Sequence, residues 1–499
     1  MQLTALELSI YWMEEILIID FKKIIIMYRK IIIIGFCLFL NTFGYAQGDQ
    51  KIIYNLNDCI RIAIKNNLDL KSSALKAESS EVNFKQSRNE LFPTLNMNYN
   101  LGLNNGRNID PFSNDVVTEQ LTFSNLNLNL GVTVFSGFRL LNSIKQSKLN
   151  LQASEMEIEE AIQDLTIEVT FRYIQILNGK DLLELSKSRL ETTKGQLDRL
   201  EARYNAGSGN PADYTDMLGQ HTIDKIGIIN ATNGLKEAVL NLIRLLSTDP
   251  DSDLQFEDIE GMIETEKYQF SADQVFDDAL QNLATFKAKR LRIDAADTGV
   301  KAAKANYFPE ISLFGQLNTN YSSVAQEFTQ TGTTISETGD FVDINNQNFP
   351  VFTNETLFDA ENIGYTDQFN DNFNSVVGVS VRIPIFNGFH AKNTVALQKI
   401  QLQETSIDLQ NTKLLFKQSI EEAYLKMESA FNRHHILLDQ VAAYEQSFHT
   451  NEIRFNNGVS NIVEYLISKN NLDSAKLNLS KAKYEYILRV RVLDYYRGI

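Results

Sequence analysis

The chain has 499 residues, with 63 acidic against 47 basic side chains and a formal net charge of −16. No basic face stands out, which argues against a nucleic-acid partner. It holds no phosphate-binding glycine loop ending in Lys-Ser/Thr, no His-Glu-x-x-His and no nucleophile elbow, so no enzyme is expected and no cofactor is implied.

Met27-Tyr28-Arg29-Lys30 opens a second start, Ile31 to Phe43 is an apolar run, and Gly44-Tyr45-Ala46 is a small-x-small site before Gln47. These read as a secretory signal peptide over 27–46, with 1–26 an upstream extension from a misplaced start codon. The short apolar core argues against a membrane helix there. Phe36 is too bulky for lipoprotein processing at Cys37, so no lipid anchor is expected. Cleavage after Ala46 leaves Cys59 as the mature chain's one cysteine. A secreted protein without a disulfide must gain stability from packing or oligomerisation.

A first repeat spans 47–253. Asn57 or Asp58 can cap a helix whose apolar positions Ala63, Ile64, Leu68, Leu70, Leu75, Val82 and Phe84 run to Leu91. Phe92-Pro93 stops it, because Pro disfavours helix at the residue before it. Residues of about 95–103 alternate strictly, Asn104 to Asn125 is polar and loop-like, and about 126–135 alternates again. Strands of this length suit a tilted transmembrane β-strand, with Leu, Met, Tyr and Val on one face and Asn, Thr and Gly on the other. A soluble hairpin would alternate in the same way; the signal peptide and the long helices favour the membrane.

From Arg139 to Arg203 runs a helical pattern of 65 residues without proline, roughly 97 Å of helix. Ile158, Ile162, Leu165, Val169, Tyr173 and Ile176 step by 4, 3, 4, 4 and 3, a seam for neighbouring helices. A hairpin tip at 203–212 leads into a returning helix from Pro211 to about Ser247, then an acidic linker from Thr248 to Tyr268. Asp249, Asp251, Asp253 and Glu260 have calcium-loop spacing, but Leu254 stands where the turn demands Gly, so the segment reads as linker. His434 and His435 point in different directions on a helix with no third ligand in reach, and no metal is expected.

The second repeat, 254–499, copies the first. Ala279-Leu280-Gln281-Asn282 and Tyr307-Phe308-Pro309 match Ala63-Ile64-Lys65-Asn66 and Leu91-Phe92-Pro93 at an offset of 216. Ile385-Phe386-Asn387-Gly388-Phe389 matches Val134-Phe135-Ser136-Gly137-Phe138 at an offset of 251, as does a second long helix over His390 to Arg454 with its tip at 454–463. The 35 extra residues fall in a polar segment, Asn318 to Phe373, between strands at about 310–317 and 375–386. Insertions concentrate in exposed loops, so the longer loops lie on one side of the strands and the helices on the other.

Two strands per repeat make four per chain, too few to close a barrel with a lumen, and lipid forbids open strand edges. The chain is therefore expected to oligomerise, and three copies would close a twelve-stranded barrel. At this point the residues resemble the TolC family of outer-membrane efflux and secretion ducts. The duplicated Phe-Pro junctions at Pro93 and Pro309 carry the resemblance. So do the duplicated Phe-x-Gly-Phe junctions at Gly137 and Gly388, and the tips Arg203-Tyr204-Asn205-Ala206-Gly207 and Arg454-Phe455-Asn456-Asn457-Gly458-Val459-Ser460.

The resemblance implies a mainly α fold with membrane β-strands: a homotrimer with a 12-stranded outer-membrane barrel continued by a 12-helix periplasmic α-barrel. It implies a passive export duct in the outer membrane of a Gram-negative bacterium, set in outer-membrane lipid, serving a tripartite efflux pump or a type I secretion system. Its partners would be a periplasmic adaptor and, through it, an inner-membrane pump. Tyr204, Ala206, Gly207, Ser208, Phe455, Gly458, Val459 and Ser460 would form the surface that the adaptor grips. Capping alone also accounts for both glycines.

Asp213 and Asp216, with Glu464 matching Asp213, would become rings of like charge in a trimer and could constrict and gate the pore. First-turn helix complementarity accounts for such acids as well. In the family a second acid often stands where Ile467 does, so the constriction here is weaker or apolar. A pore-less periplasmic coiled-coil adaptor or scaffold is the alternative, and it expects one hairpin with a compact β-domain. An envelope enzyme would need convergent catalytic groups that the sequence does not offer.

Overall fold

The computed structural model describes residues 53–109, 114, 116–118, 120–249, 255–257 and 266–499. The expected signal peptide and upstream extension lie outside the described residues, as do Asp251, Asp253 and Glu260 of the acidic linker. The chain divides into two units. One contains a parallel pairing of β1 (Ile53–Tyr54) with β6 (Gln255–Phe256), where the Glu257 N–H donates to the Tyr54 carbonyl at 3.0 Å.

The other unit begins with α1 (Leu56–Asn66) and α2 (Leu68–Asn89). The cap is Asn55 and not Asn57 or Asp58. Its Oδ1 accepts from the Asp58 N–H at 2.9 Å while the Asp58 carboxylate accepts from the Asn55 N–H, a reciprocal box that draws both expected caps into the first turn. The helix expected to run unbroken to Leu91 is split at Asn67. That residue leaves the helical conformation (φ −55°, ψ 129°), and its Oδ1 accepts from the Leu70 N–H at 2.9 Å, capping α2.

There follow β2 (Thr94–Asn104), the short pair β3 (Asn108–Ile109) and β4 (Val116–Val117), β5 (Leu121–Ser136), α3 (Arg139–Asn205) and α4 (Pro211–Leu246). The second repeat has α5 (Ala272–Asn282), α6 (Ala284–Lys304), β7 (Glu310–Ser322), β8 (Gln326–Ile344), β9 (Gln347–Asn362), α7 (Tyr365–Asp371), β10 (Asn374–Arg382), α8 (His390–Asn456) and α9 (Ile462–Arg497). The duplication is metrical: α3 and α8 each have 67 residues, and α4 and α9 each have 36. Within the α3 seam, Leu165, Val169, Tyr173 and Ile176 are buried, and Ile158 and Ile162 are half-buried. Among the described residues no helix is long and apolar enough to cross a membrane.

Two strand expectations need correction. The final strand ends at Arg382, short of 386, because Pro384 has no N–H to give a ladder. The insertion between Asn318 and Phe373 is structured: β8 and β9 form a long hairpin whose two-residue turn, Asn345-Asn346, holds both residues at positive φ, 55° and 71°. That geometry matches the right-handed twist of paired strands, and Asn tolerates it.

β10, β7, β5 and β2 form one antiparallel sheet in that order. Leu95 faces Leu130, Met97 faces Leu128, Leu128 faces Leu317, and Leu313 faces Val379. Those residues share one face. The other carries Asn96 opposite Asn129, Asn98 opposite Asn127, and Asn127 opposite Asn318. One side is thus an apolar band and the other is lined mainly with amides, where the Phe123 and Phe314 rings lie over Gly102 and Gly378; among the described residues β2 and β10 are unpaired edges.

Each strand-to-helix junction is made by two consecutive left-handed residues, Gly137-Phe138 (φ 60° and 66°) and Gly388-Phe389 (φ 61° and 62°). Each turns the second Phe of the motif edge-on to the first. The ring centroids are 5.7 Å apart for Phe135–Phe138 and 5.5 Å for Phe386–Phe389. At Gly137 a Cβ would stand 2.6 Å from the Phe308 Cβ, so the Phe-x-Gly-Phe turn of the first repeat packs on the Phe-Pro turn of the second. At Gly388 the corresponding space is open. A core of Val275, Ala279, Leu283, Phe286, Ile420, Met427, Tyr486 and Leu493 joins α5, α6, α8 and α9.

Candidate functional site: the hairpin tips

Both long helices end in the same way. In the first tip the Ser208 and Gly209 N–H groups donate to the Arg203 carbonyl at 3.0 and 2.9 Å, with Gly207 at φ 71°. In the second the Val459 N–H donates to the Arg454 carbonyl at 2.8 Å, with Gly458 also at φ 71°. Glycine reaches this left-handed conformation without Cβ strain, which lets the chain reverse within five residues. The return helices are capped alike: Asn210 Oδ1 accepts from the Ala212 N–H at 3.1 Å, and Asn461 Oδ1 from the Glu464 N–H at 2.9 Å.

The two tips share one apolar cluster of Leu197, Leu200, Met217, Phe455, Ile462 and Tyr465, flanked by Tyr214, Phe448 and Leu466. One expected docking residue is placed differently from the others. Phe455 is only 6% exposed, its ring 5.1 Å from that of Tyr465, so it holds the hairpins together and does not face outward. Tyr204, by contrast, is 44% exposed and stacks on Tyr214 at 5.3 Å, and Val459 is 68% exposed. Ala206, Gly207, Ser208 and Gly458 are exposed and Ser460 is half-buried. Burial in the cluster pushes the Tyr465 phenol above the ordinary range.

Asp213 and Glu464 sit in the first turns of α4 and α9, and Asp216 lies in the second turn of α4. Asp213 is half-buried and accepts from the Asn210 side-chain amide at 3.1 Å, while Asp216 is exposed. Glu464 is exposed and lies 3.5 Å from the Arg454 guanidinium. Ile467 is exposed beside them.

Higher in the hairpins lies a charge network that sequence reasoning missed. Asp224 on α4 is 2% exposed and Lys469 on α9 is 1% exposed. Lys469 Nζ stands 3.4 Å from Asp224 and 2.7 Å from Asp473. Arg189 Nε on α3 is 2.7 Å from Asp224 and 3.1 Å from Asp473, a close charge contact and not an aligned hydrogen bond. The Gln220 amide donates to Asp224 at 2.9 Å, and the Thr193 hydroxyl also donates to it. Two cations and two anions therefore balance while tying α9 to α3 and α4. In sequence, Lys469 and Asp473 look like an ordinary surface pair. The available signal was that Lys469 falls on the buried stripe Tyr465, Leu472 and Ala475. Among the described residues no group of His, Cys, Asp and Glu could hold a metal.

Comparison with known proteins agrees with this architecture. The chain is 20% identical over 449 residues to outer membrane protein TolC of Escherichia coli K12, covering 90% of this chain and 83% of that protein. It is 19% identical over 441 residues to outer membrane efflux protein BepC of Brucella suis, covering 88% of this chain and 84% of BepC. The crystal structure of the outer membrane protein VceC from Vibrio cholerae superposes with a TM-score of 0.69 at 14% identity, covering 89% of this chain and 96% of VceC. The model of the family described as "Outer membrane efflux protein" matches residues 59–248 and 275–496, and the chain belongs to that family.

Proposed function

We propose that this chain is the outer-membrane channel subunit of a tripartite efflux pump or type I secretion system, a passive duct that catalyses nothing itself. The mature chain then consists of the two repeats, 47–253 and 254–499, after a signal peptide at 27–46. Three copies close a 12-stranded barrel in outer-membrane lipid, continued by a 12-helix tunnel in the periplasm. The tips meet a periplasmic adaptor that an inner-membrane pump engages. The exposed tip residues Tyr204, Ala206, Gly207, Ser208, Gly458 and Val459, with the half-buried Ser460, supply the docking surface. Asp213, Asp216 and Glu464 ring the entrance.

The observation that carries this reading is the unfinished sheet. Its apolar face suits lipid and its amide face suits water, and it ends in two open edges, β2 and β10. Lipid does not tolerate open edges, so the strands must close between copies. Inside the chain β5 of the first repeat pairs with β7 of the second. The equivalent contact, β10 of one copy with β2 of the next, is the one that closes a ring. The pore-less adaptor alternative is set aside: it expects one hairpin and a compact β-domain, whereas two hairpins of equal length and a two-faced sheet are present.

Single-channel conductance of the purified protein in a planar bilayer tests the reading. Discrete cation-selective steps, altered when Asp213, Asp216 and Glu464 are changed together to Ala, are the expected result. Steps that the triple variant leaves unchanged would remove the acids from the gate and keep the duct. No steps from well-folded oligomers would overturn the duct.

A further inference from the structure

The β8–β9 hairpin is long, paired only with itself, and has two distinct faces. Opposed residues lie on the same face of a ribbon, and side chains alternate along each strand. From its base to Phe352, one face carries Phe328 opposite Ala360, Phe358 opposite Gln330, Ile335 opposite Asn354, and Phe352 opposite Glu337. Phe328, Ile335, Phe352 and Phe358 are each more than half exposed. The other face carries Glu327 directly opposite Glu361, then Asp359 and Glu355, with Leu357 between them. Like charges directly opposed across a ribbon destabilise it. Residues 326–362 contain seven acids and no Lys, Arg or His. Among the described residues neither edge of the ribbon pairs with another strand, and no Pro interrupts β9 between Phe352 and Glu361.

These features narrow the occupant. A second copy of the hairpin would bring seven more negative charges against the acidic face, and an anionic lipid surface would meet the same repulsion. A strand laid along an open edge sends alternate side chains to the two faces and satisfies unpaired backbone groups. We propose that the open edge of β9, from Phe352 to Glu361, accepts an extended polypeptide strand in which apolar residues alternate with Lys or Arg. Its apolar side chains pack on Phe352 and Phe358, and its cations neutralise Glu355, Asp359 and Glu361. The site makes no demand on the pore, so it stands or falls independently of the duct.

The test uses the full chain in detergent micelles and a short capped peptide alternating lysine with valine and phenylalanine. Two controls accompany it: an isomer with the lysines in one block and the apolar residues in another, and the alternating peptide N-methylated along one edge. The alternating peptide is expected to bind about tenfold or more tightly than either control. It should lose most of that advantage with Phe352→Ser/Phe358→Ser, and separately with Glu355→Gln/Asp359→Asn/Glu361→Gln. All five side chains are exposed, so neither variant threatens the fold, and unchanged circular dichroism checks this. Equal binding of the block isomer, or binding that ignores the N-methyl groups, would reduce the effect to charge attraction and overturn the proposal. Sedimentation showing assemblies larger than the trimer that Phe352→Ser/Phe358→Ser abolishes, or adsorption of the chain to phosphatidylglycerol vesicles with no peptide binding, would overturn it in favour of a second copy or of lipid.

Discussion

Lys469 and Asp224 lie 3.4 Å apart with almost no access to water, on helices that belong to different repeats. Removing charges from water is expensive, and such a pair persists only when further charges and hydrogen bonds complete it. Asp473, Arg189, Gln220 and Thr193 do so here. Breaking the set leaves an uncompensated buried charge, so Asp224→Ala is expected to cost roughly 3–5 kcal/mol. Asp224→Ala combined with Lys469→Met should cost less than the sum of the two single changes, because the orphaned ammonium is then gone. Denaturant melts of the four proteins of this cycle measure both quantities. A strictly additive cycle would show that the two residues are not coupled.

Ring closure can be tested at one pair of residues. Leu128 faces Leu317 inside the chain. Carried across by the repeat offsets (137 to 388 and 309 to 93), that pair becomes Val379 facing Leu101 of a second copy. Both are exposed in the single chain. The variant Val379→Cys/Leu101→Cys is expected to yield, under mild oxidation, a covalent trimer that reductant dissolves. Val379→Cys/Asn100→Cys puts the second thiol on the opposite face and should remain monomeric on a denaturing gel. Cross-linking of both variants to the same extent would rule out this register.

Much of the fold was legible because its physics is local and repeated. The alternation of Leu95 to Leu103 is the alternation of an apolar and an amide face, and Gly137 and Gly388 announce turns that only a left-handed residue makes. What stayed hidden depended on partners distant in the chain or on weak local signals. Asn67 breaks a pattern that still looks helical on both sides. The hairpin of Gln326 to Asn362 was masked by its polar composition, although Asn345-Asn346 is a turn signal. Phe455 matched the position of an exposed tip residue, and only the approach of the other hairpin buries it. The Lys469–Asp473 spacing likewise gave no hint that Asp224 would cover it.

Alkaline pH should loosen the fold. Cys59 is fully buried, and burial, helped by the Asp58 charge, pushes its thiol from the ordinary 9.0 up to about 12. Burial likewise raises the Tyr268, Tyr465, Tyr495 and Tyr496 phenols. Raised values mean that the folded chain holds protons which the unfolded chain has released. Stability from these groups is therefore complete below about pH 9, falls as pH rises from there, and is gone above the folded values; for Cys59 alone the limit is roughly 4 kcal/mol. Cys59 should also resist iodoacetamide at pH 8 until denaturant is added. Rapid labelling of the native protein, or a melting temperature unchanged between pH 8 and pH 11, would contradict this account.

The two junction glycines should respond differently to the same change. Both are left-handed, so a methyl group costs about 1–2 kcal/mol at either in backbone strain. At Gly137 the new Cβ also meets Phe308 within the chain at 2.6 Å, adding about 1–3 kcal/mol of overpacking. Gly137→Ala should therefore destabilise the monomer itself and lower its melting temperature. At Gly388 nothing stands nearby in the single chain, and the repeat relationship assigns that space to Phe92 of the next copy, a residue that is 67% exposed here. Gly388→Ala should thus leave the monomer's melt close to wild type, apart from the strain, while sharply reducing the yield of trimer. Phe92→Gly should restore part of that yield, because it removes the Cβ and ring that the new methyl group would meet, as Phe308 does at Gly137. Sedimentation of the four proteins separates the two effects: a Gly388→Ala chain that assembles as well as wild type would show that the junctions do not meet across the ring.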